Sequence, residues 1–221
     1  MCGRFNIIDD PLTKLVGELL GIEFSTQSNS NVCPSEQIST IALSNNSTSR
    51  DVNNNTVDIV AQVNATWGIK PDWAKKLLIN AQAETVASKK TFRDAYNSAR
   101  CVIPMSGWYE WKSNEMGKKQ KFLFDKGAEP LYMAGILLEK PKQDDNPDLL
   151  SGLIDIPTPE SCDYHLVTIT TKANKQCNAI HHRMPLFIPA ERIKSWIIGT
   201  VLDSNKLLVN QAETFNISAV N

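Results

Sequence analysis

The chain begins MCGRF, with a cysteine and a glycine directly behind a methionine. A small second residue lets an initiator Met be clipped off, which would leave Cys2 with a free α-amine and a thiol on neighbouring carbons. The amine's reference pKa is about 7.7–8.0 and the thiol's about 8.5, so both are partly nucleophilic near neutral pH. No other residue at a chain start offers that pair of nucleophiles. On these five residues alone, an accidental Cys2 is as good a reading, because a short motif is only a hypothesis.

Four further clusters carry chemistry. In Ser106–Gly107–Trp108–Tyr109–Glu110–Trp111 one carboxylate sits among bulky aromatics. Partial burial there raises a carboxyl pKa, the usual way to make a general acid at neutral pH; a surface salt bridge is the competing reading. Ile180–His181–His182–Arg183–Met184–Pro185 sets a histidine two residues from an arginine, an arrangement suited to proton transfer beside an anion such as phosphate. Ile79–Asn80–Ala81–Gln82–Ala83–Glu84–Thr85 offers Asn80, whose amide both accepts and donates. Trp67–Gly68–Ile69–Lys70–Pro71–Asp72–Trp73 brackets a rigid turn with two tryptophans. Trp67 reads as core, whereas Trp73 reads equally as a rim residue or as a stacking platform for an unpaired base.

These side chains need a frame. Pro11–Leu20 places Leu12, Leu15, Val16, Leu19 and Leu20 on one helical face. Strands are predicted at Thr56–Trp67, Cys101–Pro104, Gly107–Lys112, Lys121–Phe124, Leu131–Leu138 and Tyr164–Thr171, and a second helix at Pro189–Ile198. Ser44–Asn55, Lys140–Pro147 and Asp155–Ser161 read as loops. Many strands with interspersed helices and no βαβ rhythm predict an α+β fold: a single domain over residues 1–221, built on a curved, partly barrel-like mixed sheet flanked by helices.

Bulk properties set the remaining bounds. The 221 residues, 42% hydrophobic and 21% charged, suit a globular protein with a real core. No apolar run is long enough to span a bilayer, and the N-terminus shows no basic region followed by an apolar stretch, so no signal peptide and no membrane partner are expected, and a cytosolic or nuclear setting is. The five cysteines are scattered without CxxC spacing, and the three histidines lack partners at ligand spacing, so neither a disulfide framework nor a metal site is expected. Charge is unevenly distributed: Gly68–Lys126 holds twelve Lys/Arg against six Asp/Glu, while Glu139–Asp163 holds two against seven. That asymmetry permits a basic groove, or simply a basic surface.

Taken together, MCGRF, WG-x-x-P-x-W, NA-x-x-ET, G-[WFY]-[YF]-EW and IH-x-RMP, in this order and at this spacing, resemble the SOS-response-associated peptidase (SRAP) family along essentially the whole chain. Any one motif alone would be weak; five in order are specific. The resemblance implies that Met1 is removed and that Cys2 attacks the ring-opened aldehyde of an abasic site in single-stranded DNA. Imine formation by the amine and closure by the thiol would give a thiazolidine crosslink that shields the lesion.

By the same resemblance, Asn80 orients Cys2, Glu110 assists ring opening and proton transfer, and His181 (rather than His182) is the histidine of the pattern. Arg4, Lys90, Thr170 and Arg183 fall where the family contacts the DNA backbone, and Trp73 where it stacks on a base. Gln82 departs from the pattern, which usually has Arg there, so its phosphate contact loses charge and bidentate geometry. Weaker, less salt-sensitive DNA binding is therefore expected. The resemblance implies no cofactor and no metal. A monomer, autocatalytic removal of Met1 and, in a bacterium, a cytoplasmic protein that joins the nucleoid during DNA damage are also expected; whether the protein also cleaves the strand as a lyase stays open.

Two rival readings belong to other classes. N-terminal-nucleophile amidohydrolases, including glutamine amidotransferases, also begin Met-Cys-Gly, but usually continue with Ile where this chain has Arg4–Phe5, and the later motifs have no place in them. A non-catalytic single-stranded DNA-binding module would leave Cys2 inert and use the basic band alone. General proteolysis is disfavoured, because no Ser/His/Asp or Cys/His pairing is visible outside Cys2.

Overall fold

The structure is a computed structural model that describes residues 2–44, 60–140, 164–209 and 213–220. The chain runs β1 (Phe5–Ile7), α1 (Asp9–Leu20), β2 (Asn29–Val32), β3 (Gln37–Leu43), β4 (Val60–Trp67), β5 (Asn80–Gln82), α2 (Lys90–Ser98), β6 (Arg100–Met105), β7 (Gly107–Ser113), β8 (Lys119–Asp125), β9 (Leu131–Glu139), β10 (Tyr164–Lys172), β11 (Arg183–Pro185), α3 (Ile193–Ile198), α4 (Val201–Asn205) and β12 (Asn216–Val220).

Two sheets result. The first is antiparallel in the order β12–β8–β7–β1–β2. In the second, β10, β4, β3, β6 and β9 follow one another, and β9 pairs back onto β10 to close a ring. The first half of β10 lies between β4 (parallel) and β9 (antiparallel). Its second half lies between β5 (parallel) and β11 (antiparallel). This is the expected α+β fold with a curved, barrel-like mixed sheet. Strands β6, β9 and β10 are buried along most of their length, and β6 and β9 read accordingly as nearly continuous apolar runs.

One contiguous core joins the sheets. Trp67 is fully buried, as expected, with Phe5 at 5.2 Å between ring centroids. Trp108 stacks on Phe124 at 4.6 Å and meets Phe187 and Phe215. The buried Arg100 guanidinium donates to carbonyls of Tyr96, Asn97, Trp196 and Gly199, and so satisfies the last carbonyls of both α2 and α3.

Helix α1 buries Leu12, Val16 and Leu20 and stops at Gly21, whose φ of 68° is the left-handed cap that glycine adopts freely. Leu19 is a correction: it is 43% exposed, because the buried stripe is narrower than five residues. The helix expected over Pro189–Ile198 is a 3-10 turn at Ala190–Arg192 followed by α3. Residues 56–59 of the strand expected at Thr56–Trp67 lie outside the described residues, as do the three predicted loops apart from Ser44 and Lys140. Among the described residues, no helix is long and apolar enough to cross a membrane.

Candidate active site

Cys2 precedes β1 and is wholly buried. Its position is fixed from two directions. The Tyr109 N–H donates to the Arg4 carbonyl at 3.0 Å, lacing the N-terminal segment to β7. Asn80 Nδ2, at the start of β5, donates to the Cys2 carbonyl at 2.9 Å. Burial, with the Glu110 carboxyl nearby, pushes the thiol well above its ordinary range, so it is held protonated.

Glu110 lies on β7, in the tier that follows the buried Trp108 and Tyr109, and only 3% of it is exposed. Desolvation raises its carboxyl to about 7, which is the shift expected from its aromatic neighbours. A carboxyl at that value divides its population between acid and base at neutral pH. His181 Nδ1 stands 3.9 Å from Glu110 Oε2, and burial lowers the imidazole below its ordinary value, favouring the neutral ring. The same Nδ1 lies 3.1 Å from both the N–H and the carbonyl of Arg183, so either tautomer finds a partner. The His182 ring packs against that of His181, tilted by 31° with 4.5 Å between centroids. The fold therefore brings Cys2, Asn80, Glu110 and His181 together from four separate segments: a buried thiol, the amide that anchors the Cys2 carbonyl, a carboxyl raised to about 7, and an imidazole whose neutral form burial favours.

The other expected site residues divide by exposure. Trp73 is 68% exposed at the tip of a hairpin closed by two Ile69–Leu78 backbone hydrogen bonds, with exposed Lys70, Lys75 and Lys76 beside it. Gln82 and Lys90 are exposed, and Arg4 is half-buried with its guanidinium on the Gly3 carbonyl at 3.0 Å. Thr170 and Arg183 are instead buried. The Thr170 hydroxyl donates to the Ala81 carbonyl at 3.2 Å. The Arg183 guanidinium forms a bidentate pair with Glu84 at 2.7 and 2.9 Å and donates to the Thr170 carbonyl at 2.7 Å. That pair holds the Glu84 carboxyl below its usual range.

Two contributors escaped the sequence reading. Glu84 stands in the quoted NAQAET segment, but nothing there shows that its partner is Arg183. Thr168 bonds Asn80 across the β5–β10 pairing, and no feature of type or spacing marks it. Among the described residues, no group of three His, Cys, Asp or Glu side chains is placed to hold a metal ion.

Comparison with known proteins bears on this site. The family model described as SOS response associated peptidase matches residues 1–221. The abasic site processing protein YoqW of Bacillus subtilis is 31% identical over 206 residues, spanning 89% of this chain and 80% of that protein. The abasic site processing protein YedK of Escherichia coli is 27% identical over 132 residues, 59% of this chain and 52% of that one. A solved phage-related protein of Bordetella bronchiseptica has the same fold, with a TM-score of 0.68 at 20% identity over 99% of this chain and 94% of its own. A second protein of that organism gives 0.70 at 18% identity, covering 100% of both chains.

Proposed function

Because the chain belongs to the SOS response associated peptidase family, we propose that it processes abasic sites, capturing them covalently in single-stranded DNA through Cys2 once Met1 has been removed. The observation that carries the reading is the placement of Cys2 against Asn80 with a carboxyl of raised pKa beside it. Its relatives YoqW and YedK, named abasic site processing proteins, support the substrate class.

The chemistry follows from the protonation states. The buried thiol keeps its proton, so the α-amine attacks the ring-opened aldehyde first. The carbinolamine loses its hydroxyl as water, with the neutral Glu110 carboxyl as proton donor, and leaves an imine. The thiol sulfur then adds to the imine carbon while its proton passes to nitrogen, with Glu110 and neutral His181 as the local carriers. One aldehyde and one N-terminal cysteine give one thiazolidine and one water. Asn80 holds the Cys2 carbonyl, so both nucleophiles approach one carbon without a search.

Trp73 stacks on an unpaired base, and Lys70, Lys75, Lys76, Lys90, Arg4 and Gln82 follow the phosphates. Thr170 and Arg183 support this path from beneath: an incoming phosphate reaches the Arg183 guanidinium only by replacing Glu84. The protein acts as a monomer without metal or organic cofactor. Removal of Met1 is its own peptidase reaction.

The test is denaturing electrophoresis of the protein with a single-stranded oligonucleotide carrying one abasic site, after mass spectrometry shows that the chain starts at Cys2. A heat-stable shifted band that needs both the lesion and Cys2 is expected. Its absence from protein shown to start at Cys2, or a band that persists in Cys2→Ala, sinks the proposal, and the first outcome favours an amidohydrolase or a simple binding module.

A further inference from the structure

We propose that Thr168 is a positioning residue for this reaction, acting through Asn80 on Cys2; the inference rests on the capture function proposed above. Thr168 lies on β10 opposite Asn80 in the parallel β5–β10 register and is wholly buried. Its Oγ1 is 2.6 Å from Asn80 Oδ1 and 3.1 Å from the Ile79 carbonyl. A hydroxyl has one proton to give, and counting partners decides where it goes.

The Ile79 carbonyl already receives the Thr168 N–H at 3.1 Å and the Trp67 indole N–H at 3.1 Å, which fills its two lone pairs. The Thr168 proton is therefore available to Asn80 Oδ1, the shorter contact. The other side of the amide is equally constrained. The Cys2 carbonyl accepts only, so the atom that faces it must be Nδ2. Oδ1 then faces Thr168, and the hydroxyl must donate. Each hydrogen bond fixes the polarity of the next: Thr168 hydroxyl to Asn80 Oδ1, Asn80 Nδ2 to Cys2 carbonyl.

Without the hydroxyl, Oδ1 loses its buried donor. The amide is then held from the Cys2 side only and can swing away from the carbonyl it should hold. Valine tests this cleanly, because it matches the shape of threonine and suits a buried strand but has no proton to donate. Serine restores the proton in a smaller side chain.

Wild type, Thr168→Val and Thr168→Ser, each shown to start at Cys2, are compared in single-turnover crosslinking to the abasic oligonucleotide across DNA concentrations. The side-chain amide of Asn80 is followed by hydrogen exchange in the DNA-free protein. Thr168→Val is expected to lower the maximal rate about ten-fold, the equivalent of one buried hydrogen bond. The DNA concentration for half-maximal rate should stay unchanged, and the Asn80 amide should lose protection. Thr168→Ser recovers both rate and protection.

A Thr168→Val protein with wild-type rate and wild-type protection overturns the inference. So does one that loses DNA affinity and rate together with no recovery in Thr168→Ser, since that marks a general packing role. If wild type itself forms no adduct, the capture function fails, and the exchange of Asn80 still decides whether Thr168 holds it.

Discussion

Glu110 binds its proton more tightly in the folded chain than a glutamate does in water, with its carboxyl raised to about 7 by burial. The consequence for stability has a definite sign. A raised folded pKa means that the contribution is fully present below the ordinary glutamate value and is lost as pH rises through about 7, at up to about 1.4 kcal/mol per pH unit. His181 and His165, both lowered by burial, act in the opposite sense up to the ordinary imidazole value. Comparing Glu110→Gln with wild type isolates the carboxyl. Urea midpoints measured from about pH 5 to pH 8 should show wild type losing stability relative to the variant as pH rises. Parallel curves would show that Glu110 titrates as it does in the unfolded chain. The variant should also crosslink slowly at every pH, because its amide cannot deliver the proton.

Strand β7 is aimed by its first residue. A Cβ on Gly107 would stand 2.6 Å from the Phe124 carbonyl oxygen, which is backbone and cannot swing aside. Gly107→Ala should therefore push β7 off β8, destabilise the protein by about 1–3 kcal/mol and displace Glu110, three residues on. Thermal melting and crosslinking rate would both register it, and an unchanged melt would show that the strands separate without strain. Elements such as β7 and β9 were legible in the sequence because their apolar runs exceed the noise of local pattern. The three-residue β5 was not: Asn80–Gln82 is extended because β10 pairs with it, not because its own residues prefer a strand. The site shows the same division. Cys2, Asn80, Glu110 and His181 stand in motifs that announce chemistry by residue type. The Glu84–Arg183 pair and the Thr168–Asn80 bond join residues 99 and 88 positions apart, so only the closed sheet reveals them.

Across the whole molecule, a net charge of −1 conceals a basic middle and an acidic stretch after it. Affinity for single-stranded DNA should accordingly fall with salt by a slope of about 0.7 for each phosphate neutralised. Gln82 is exposed beside the site and adds no charge to that count. Gln82→Arg should steepen the slope by about 0.7 and tighten binding at low salt, with little change in the maximal crosslinking rate. Titrations at several salt concentrations would read this directly, and an unchanged slope would remove Gln82 from the phosphate path. At the same scale, β10 is the strand on which everything else leans: β4, β5, β9 and β11 all pair with it. During synthesis Cys2 leaves the ribosome long before β10 (Tyr164–Lys172), which follows its partners β4, β5 and β9 and precedes only β11. Until β10 arrives, Asn80 has no strand to lie against and the His181–Arg183 segment has not been made. On the function proposed above, the nascent chain would carry Cys2 through most of translation as an ordinary cysteine, and would become armed against aldehydes only when the ring is complete.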